Sequence, residues 1–135
     1  MTYTVEQIRQ MGPGPELDAA LAEALGKPNV RRFRSRYVYD NAGYVNGKPT
    51  GPVMGTVDVE EYSTTWSGME LVVEEMHRID NGERFNLALG WFPNDKEWGA
   101  DFDEWGVESR AFTTTAPHAV AIAALLALKG DTAHE

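Results

Sequence analysis

Arg31, Arg32, Arg34 and Arg36 place four guanidinium groups within six positions of a 135-residue chain whose net charge is -9. With +4 here and -9 overall, the remainder of the chain carries -13. Guanidinium forks hold phosphate oxygens two at a time. Tyr37, Tyr39 and Tyr44 stand close by in sequence, ready to stack on a base. The competing reading pairs the arginines with acidic surface, the usual fate of clustered charge.

Two other stretches are rich in hydroxyls. Tyr62-Ser63-Thr64-Thr65 and Thr113-Thr114-Thr115 each precede an apolar periodic run and offer more hydroxyls than one helix cap needs. A helix start with hydroxyl side chains is an anion site, and two such starts at one sheet edge would suit a diphosphate or a cyclic dinucleotide. His118 lies near the second start and is a candidate anion contact. Trp91, Trp98 and Trp105 recur at seven-residue spacing; core packing is the default for aromatics, and a pocket wall is the functional alternative. The sequence thus nominates Arg31, Arg32, Arg34, Arg36, Tyr37, Tyr39, Tyr62, Ser63, Thr64, Trp91, Trp98, Thr114, Thr115 and His118 as ligand-binding residues.

Other chemistries find little support. Asp101, Asp103 and Gly106 match positions 1, 3 and 6 of a calcium loop, but Trp105 and Phe112 fall where side-chain oxygens are required. His77, His118 and His134 have no metal-ligand spacing, and no nucleophile elbow, Walker loop, Rossmann fingerprint or zincin motif occurs. No cysteine is present, which removes disulfides, thiolate metal sites and thiol nucleophiles. The expectation is a non-catalytic protein with no cofactor and no metal.

The elements that must position these residues follow from periodicity. Thr4 to Met11 can form a short helix capped by Thr4. Pro15, acidic Glu16 and Asp18, and Leu17, Leu21 and Leu25 predict an amphipathic helix that Gly26 stops. Residues 27–55 form a basic, aromatic, turn-rich insertion or hairpin arm, with alternation from Arg32 to Tyr39. A helix from about Trp66 turns Trp66, Met69, Val72, Val73, Met76 and Ile79 inward, and Asn81-Gly82 ends it.

Three antiparallel strands are expected over Arg84–Phe92, Glu97–Phe102 and Val107–Thr113, with Phe85, Leu87, Leu89 and Trp91 on one face. A last helix is capped by Thr114 or Thr115 and is apolar almost all round from Ala119 to Leu128. Lys129-Gly130 closes it before a frayed tail. The fold class is α+β: a small alpha-beta-alpha sandwich in one domain over residues 1–135, with an antiparallel sheet of about four strands flanked by helices.

Composition sets the outer limits. At 15.0 kDa, with 42% hydrophobic and 24% charged residues, the chain fits one globular domain large enough to bury a core. A pI near 4.7 disfavours duplex nucleic acid and anionic membranes. No apolar run is long enough to span a bilayer, and no secretory signal pattern is present.

The chain resembles the phage ABA-sandwich domain family. Three stretches carry the likeness: Pro15-Glu16-Leu17-Asp18-Ala19-Ala20-Leu21-Ala22-Glu23; Tyr62-Ser63-Thr64-Thr65-Trp66 leading to Val72-Val73-Glu74-Glu75-Met76; and Thr115-Ala116-Pro117-His118-Ala119-Val120-Ala121. The resemblance implies a small alpha-beta-alpha sandwich encoded by a phage or prophage. This sequence departs from the pattern in the insertion between Val30 and Gly55.

The expected function is counter-defence in the host cell cytoplasm: sequestration, without catalysis, of a small nucleotide immune signal such as a cyclic dinucleotide or an ADP-ribose derivative. Pockets of a homo-oligomer would hold it. The alternatives are an acidic DNA mimic that blocks a host defence protein, and an accessory protein that only assembles with other phage proteins.

Overall fold

The computed structural model describes residues 3–41, 43–45, 48–50, 55–80, 86–103 and 109–133. Its centre is the most apolar element, helix α4 (Ala116–Ala133). Seven of its 18 residues are alanine, and Ala119 to Ala127 are buried without interruption. Small side chains allow close approach on every side, so α4 packs against strands on one flank and helices on the other. It runs past Lys129-Gly130, the expected stop, to Ala133. A glycine inside a helix is unfavourable by only about 1 kcal/mol, which does not end one whose preceding turns are this well packed.

Helices α1 (Val5–Gln10), α2 (Pro15–Ala24) and α3 (Trp66–Asp80) all contact α4. Thr4 caps the first as expected, and Gln7 completes a capping box: Gln7 N donates to Thr4 Oγ1 at 3.1 Å and Thr4 N to Gln7 Oε1 at 2.9 Å. The second begins on Pro15 and buries Leu17, Ala19, Ala20, Leu21 and Ala22. In the third, Val72 and Met76 are fully buried.

Strands β1 (Arg31–Phe33), β2 (Arg36–Asp40) and β5 (Thr56–Asp58) form one antiparallel sheet, ordered β1-β2-β5. Between β2 and β5, strands β3 (Gly43–Val45) and β4 (Lys48–Thr50) pair as a separate hairpin. Strands β6 (Asn86–Phe92), β7 (Glu97–Asp103) and β8 (Ala111–Thr113) form the meander expected from the sequence.

The class is α+β, as expected. Among the described residues its strands do not make one sheet of about four; they divide into two three-stranded sheets and a two-stranded hairpin. The 27–58 segment closes on itself because each short strand finds an antiparallel partner nearby. Helices then occupy the space between the sheets: β2 packs on α2, α2 on α4, and α4 on β7.

In the β6-β7-β8 sheet, alternation directs Leu87, Leu89, Trp98, Ala100, Phe102 and Ala111 toward α4. The opposite face carries Ala88, Gly90, Phe92, Gly99 and Phe112, with Phe92 and Phe112 about half exposed. Two inward assignments on α3 are corrected: Trp66 is 57% exposed and Ile79 40%. They sit in the first and last turns, where the helix overhangs its neighbours. Strand residues 84–85 and 107–108, the 81–82 stop and the final two residues lie outside the described residues.

Candidate functional site

Trp98 lies on β7 directly opposite Trp91 on β6 and Thr113 on β8. Its ring centroid is 5.5 Å from that of Trp91, tilted by 54°, and 5.8 Å from that of Trp66, at 81°. The contact with Trp66 is edge-to-face, favoured because the positive edge of one ring meets the negative face of the next, and the contact with Trp91 is an intermediate tilt. Trp98 is half-buried at the middle of the row, whereas Trp66 and Trp91 are 57% and 47% exposed. Three indoles thus form a continuous aromatic strip with both ends open.

Two helix starts flank this strip. Trp66 opens α3, and Thr113, paired with Trp98, precedes α4 by three residues. Thr65 caps α3: Gly68 N donates to its Oγ1 at 2.9 Å, and Met69 N to its carbonyl at 3.0 Å. Gly68 is required there, since a Cβ would stand 2.0 Å from the Glu61 carbonyl oxygen. At the start of α4, Thr113 Oγ1 donates to the Thr115 carbonyl at 2.7 Å, and Ala119 N donates to the same carbonyl at 3.1 Å. Thr64, Thr114 and Thr115, the residues around these two starts, are exposed.

Other nominated residues are occupied inside the fold. Ser63 is fully buried; its N–H donates to Asp18 Oδ1 at 2.8 Å, and its Oγ accepts from Gly14 N at 2.9 Å. This knot fixes the chain just before α3 onto the start of α2. Burial raises the Asp18 carboxyl above its ordinary value, with the nearby Glu61 charge adding to the rise and the Ser63 hydrogen bonds opposing it.

Tyr39 and Tyr62 are also buried, and both phenols donate to Glu60, at 2.6 and 2.9 Å. Burial first, then the Glu60 charge, pushes the Tyr62 phenol far up. His118 is half-buried with Nε2 2.8 Å from the Met11 carbonyl, which only accepts, so that nitrogen carries the proton.

The arginines divide into pairs. Arg31 bonds Asp40 Oδ1 at 2.8 Å, and Arg36 lies 3.2 Å from Asp58. Arg32 and Arg34 are exposed and make no ion pair among the described residues. Arg34 occupies the two-residue turn between β1 and β2 with φ of 60°, a region few non-glycine residues adopt, and its guanidinium sits 5.5 Å from the Phe33 ring centre. Below this tip, Ser35, Arg36 and Tyr37 face Pro15, Asp18, Asp58 and Glu61 across a hollow of about 200 Å³. The structure therefore joins Trp91 and Trp98 across one sheet, keeps Thr64, Thr114 and Thr115 within two residues of Trp66 or Thr113 along the chain, and places the arginine hairpin in the separate β1-β2-β5 sheet.

Sequence reasoning missed Trp66, which hydrophobic periodicity had assigned inward. A usable signal was its place just after the Thr65 cap, because first-turn side chains lean back over the helix start. Trp105 falls outside the described residues. Among the described residues, no cluster of histidine, aspartate and glutamate could hold a metal ion, and no helix is long and apolar enough to cross a membrane.

Compared with protein-family models, curated proteins and solved structures, the chain matches none of them.

Proposed function

We propose that this protein binds a nucleotide-like ligand without transforming it, stacking the base on the exposed indoles of Trp66 and Trp91. The supporting observation is the Trp66–Trp98–Trp91 row, with Trp66 opening α3 and Trp98 paired with Thr113 just before α4. Indoles offer a flat face to any base. The hydroxyls of Thr64, Thr114 and Thr115 and the positive ends of two helix dipoles suit the ligand's phosphates. Arg32 and Arg34, both without an acidic partner among the described residues, supply a second phosphate contact if the ligand is long enough to reach the hairpin.

The resemblance to phage ABA-sandwich domains gives this binding its setting. A phage or prophage protein of this kind would act in the host cytoplasm, holding a cyclic dinucleotide or ADP-ribose derivative that signals infection.

A thermal-shift panel of cyclic dinucleotides, cyclic ADP-ribose isomers, NAD, ATP and short DNA tests this reading. A ligand at a thousand times its dissociation constant adds roughly 4 kcal/mol, a rise of about 10 °C or more for a domain of this size. One selective rise with the nucleotide recovered intact is the expected outcome. A cleaved product would make the protein an enzyme. No rise across the panel would overturn nucleotide capture and turn attention to its acidic surface as a mimic of DNA.

A further inference from the structure

Strand β6 is an edge of its sheet. Its register with β7 runs unbroken from Asn86↔Asp103 to Phe92↔Glu97, and among the described residues no strand pairs with its other side. Proteins normally protect such edges with a charge, a proline or a bulge, because open N–H and C=O groups invite another strand. Strand β6 has none of these. Its sequence, NLALGWF, contains no charged residue and no proline, and seven consecutive register pairs leave no bulge. In a chain of net charge -9, it is also a neutral stretch where two like-charged molecules can approach.

We infer that β6 pairs antiparallel with β6 of a second copy about a two-fold axis at Leu89, joining two three-stranded sheets into one of six strands. The strand's own sequence selects a second copy as the occupant. With the axis at Leu89, that residue faces the partner's Leu89, Leu87 faces the partner's Trp91, and Ala88 faces the partner's Gly90. The α4-side pairs are then aliphatic with aliphatic or with aromatic, the combinations that stabilise antiparallel strands.

In the single chain, Leu87 and Leu89 are only half-buried and Trp91 is 47% exposed, so this pairing covers apolar surface that the fold leaves open. A two-fold interface must be complementary to itself, and a neutral strand with a symmetric apolar pattern meets that condition. Strand β8, at the other edge, has three residues and offers far less to pair with. The paired edge takes in Trp91, so dimerisation and base stacking share that indole, whereas Trp66, on α3, lies outside the paired strand.

Sedimentation equilibrium of the full chain across the micromolar range should give twice the monomer mass of 15.0 kDa. Because the chain has no cysteine, Leu89→Cys introduces a single thiol, which a short bis-maleimide should link to its copy across the axis. Ser35→Cys, in the exposed turn between β1 and β2 of the other sheet, should remain unlinked under the same conditions. If Leu89→Cys misfolds, a mixture of Ala88→Cys and Gly90→Cys tests the same register, since Ala88 is exposed and a Cβ at Gly90 meets nothing closer than 3.9 Å. A monomer at every concentration overturns the proposal. A dimer that links at none of these positions overturns it equally, because the contact then lies on another surface.

Discussion

The Trp66 indole meets the Trp98 indole edge to face, with centroids 5.8 Å apart and planes at 81°, across 32 residues of sequence. This contact ties the first turn of α3 to the centre of the β6-β7-β8 sheet. Edge-to-face pairs contribute about 0.5–1.5 kcal/mol beyond area burial. A double-mutant cycle with Trp66→Ala and Trp98→Ala, followed by urea unfolding, should return a coupling of that size. Trp98→Ala alone should cost more than Trp66→Ala, since Trp98 also loses Trp91. Equal costs and zero coupling would show that the row does not act as a unit.

Asp18 makes stability depend on pH in a direction opposite to most carboxylates. Its folded-state value is raised, chiefly by burial, so the folded chain holds this proton more tightly than the unfolded chain. The contribution is complete below the ordinary aspartate value and is lost as pH rises through the raised one. Asp18→Asn keeps an oxygen to accept from Ser63 N and removes the titration. The variant should therefore gain on wild type as pH rises from acid to neutral, measured by denaturant midpoints; parallel curves would refute the assignment. Asp18→Ala should lose about 1–3 kcal/mol by leaving the Ser63 N–H buried without its acceptor.

Gly68 and Gly99 are both crowded, by different neighbours. A Cβ at Gly68 would meet the Glu61 backbone oxygen at 2.0 Å, and backbone cannot swing aside. At Gly99 the obstacles are ring atoms of Phe92 and Phe112, at 2.6 and 2.8 Å, on exposed side chains that can rotate. Gly68→Ala should lower the melting temperature well beyond Gly99→Ala, by roughly 2 kcal/mol or more against about 1. The reverse order in calorimetry would contradict the close approach of α3 to the 60–65 segment.

The arginines should separate by partner. Arg31→Ala removes a half-exposed ion pair with Asp40 and should cost about 1 kcal/mol, whereas Arg32→Ala should fall within about 0.5 kcal/mol of wild type. Arg34→Gly should be neutral or slightly stabilising, because glycine adopts a φ of 60° without strain. Chemical denaturation of the three variants gives the ranking directly; a large loss on Arg34→Gly would mean the guanidinium holds the hairpin together.

Much of this architecture is legible in the sequence. The Thr4 cap, the Pro15 start, the meander and the apolar last helix all follow from local rules of capping and periodicity. What local rules do not carry is the partner of each strand. The 27–58 segment contains five strands that close among themselves, three in one sheet and two in a hairpin, and nothing in their composition says they will avoid the later sheet. The site was partly readable. Trp91 and Trp98 were nominated by spacing, but Trp66 looked inward because periodicity treats the first turn like any other. Ser63, Tyr39 and Tyr62 looked available because polarity is visible in sequence and burial is not. Each is buried, with its polar atoms bonded to Gly14, Asp18 or Glu60.

The most direct test of base stacking is a calorimetric titration of the stabilising nucleotide into wild type and Trp66→Ala. Stacking on an aromatic side chain is worth about 1–3 kcal/mol per base by alanine substitution, so affinity should fall about 5- to 150-fold. Trp66 is exposed and contacts its neighbour only at a ring edge, so circular dichroism should still show the wild-type fold. Unchanged affinity in a folded Trp66→Ala protein would contradict the account.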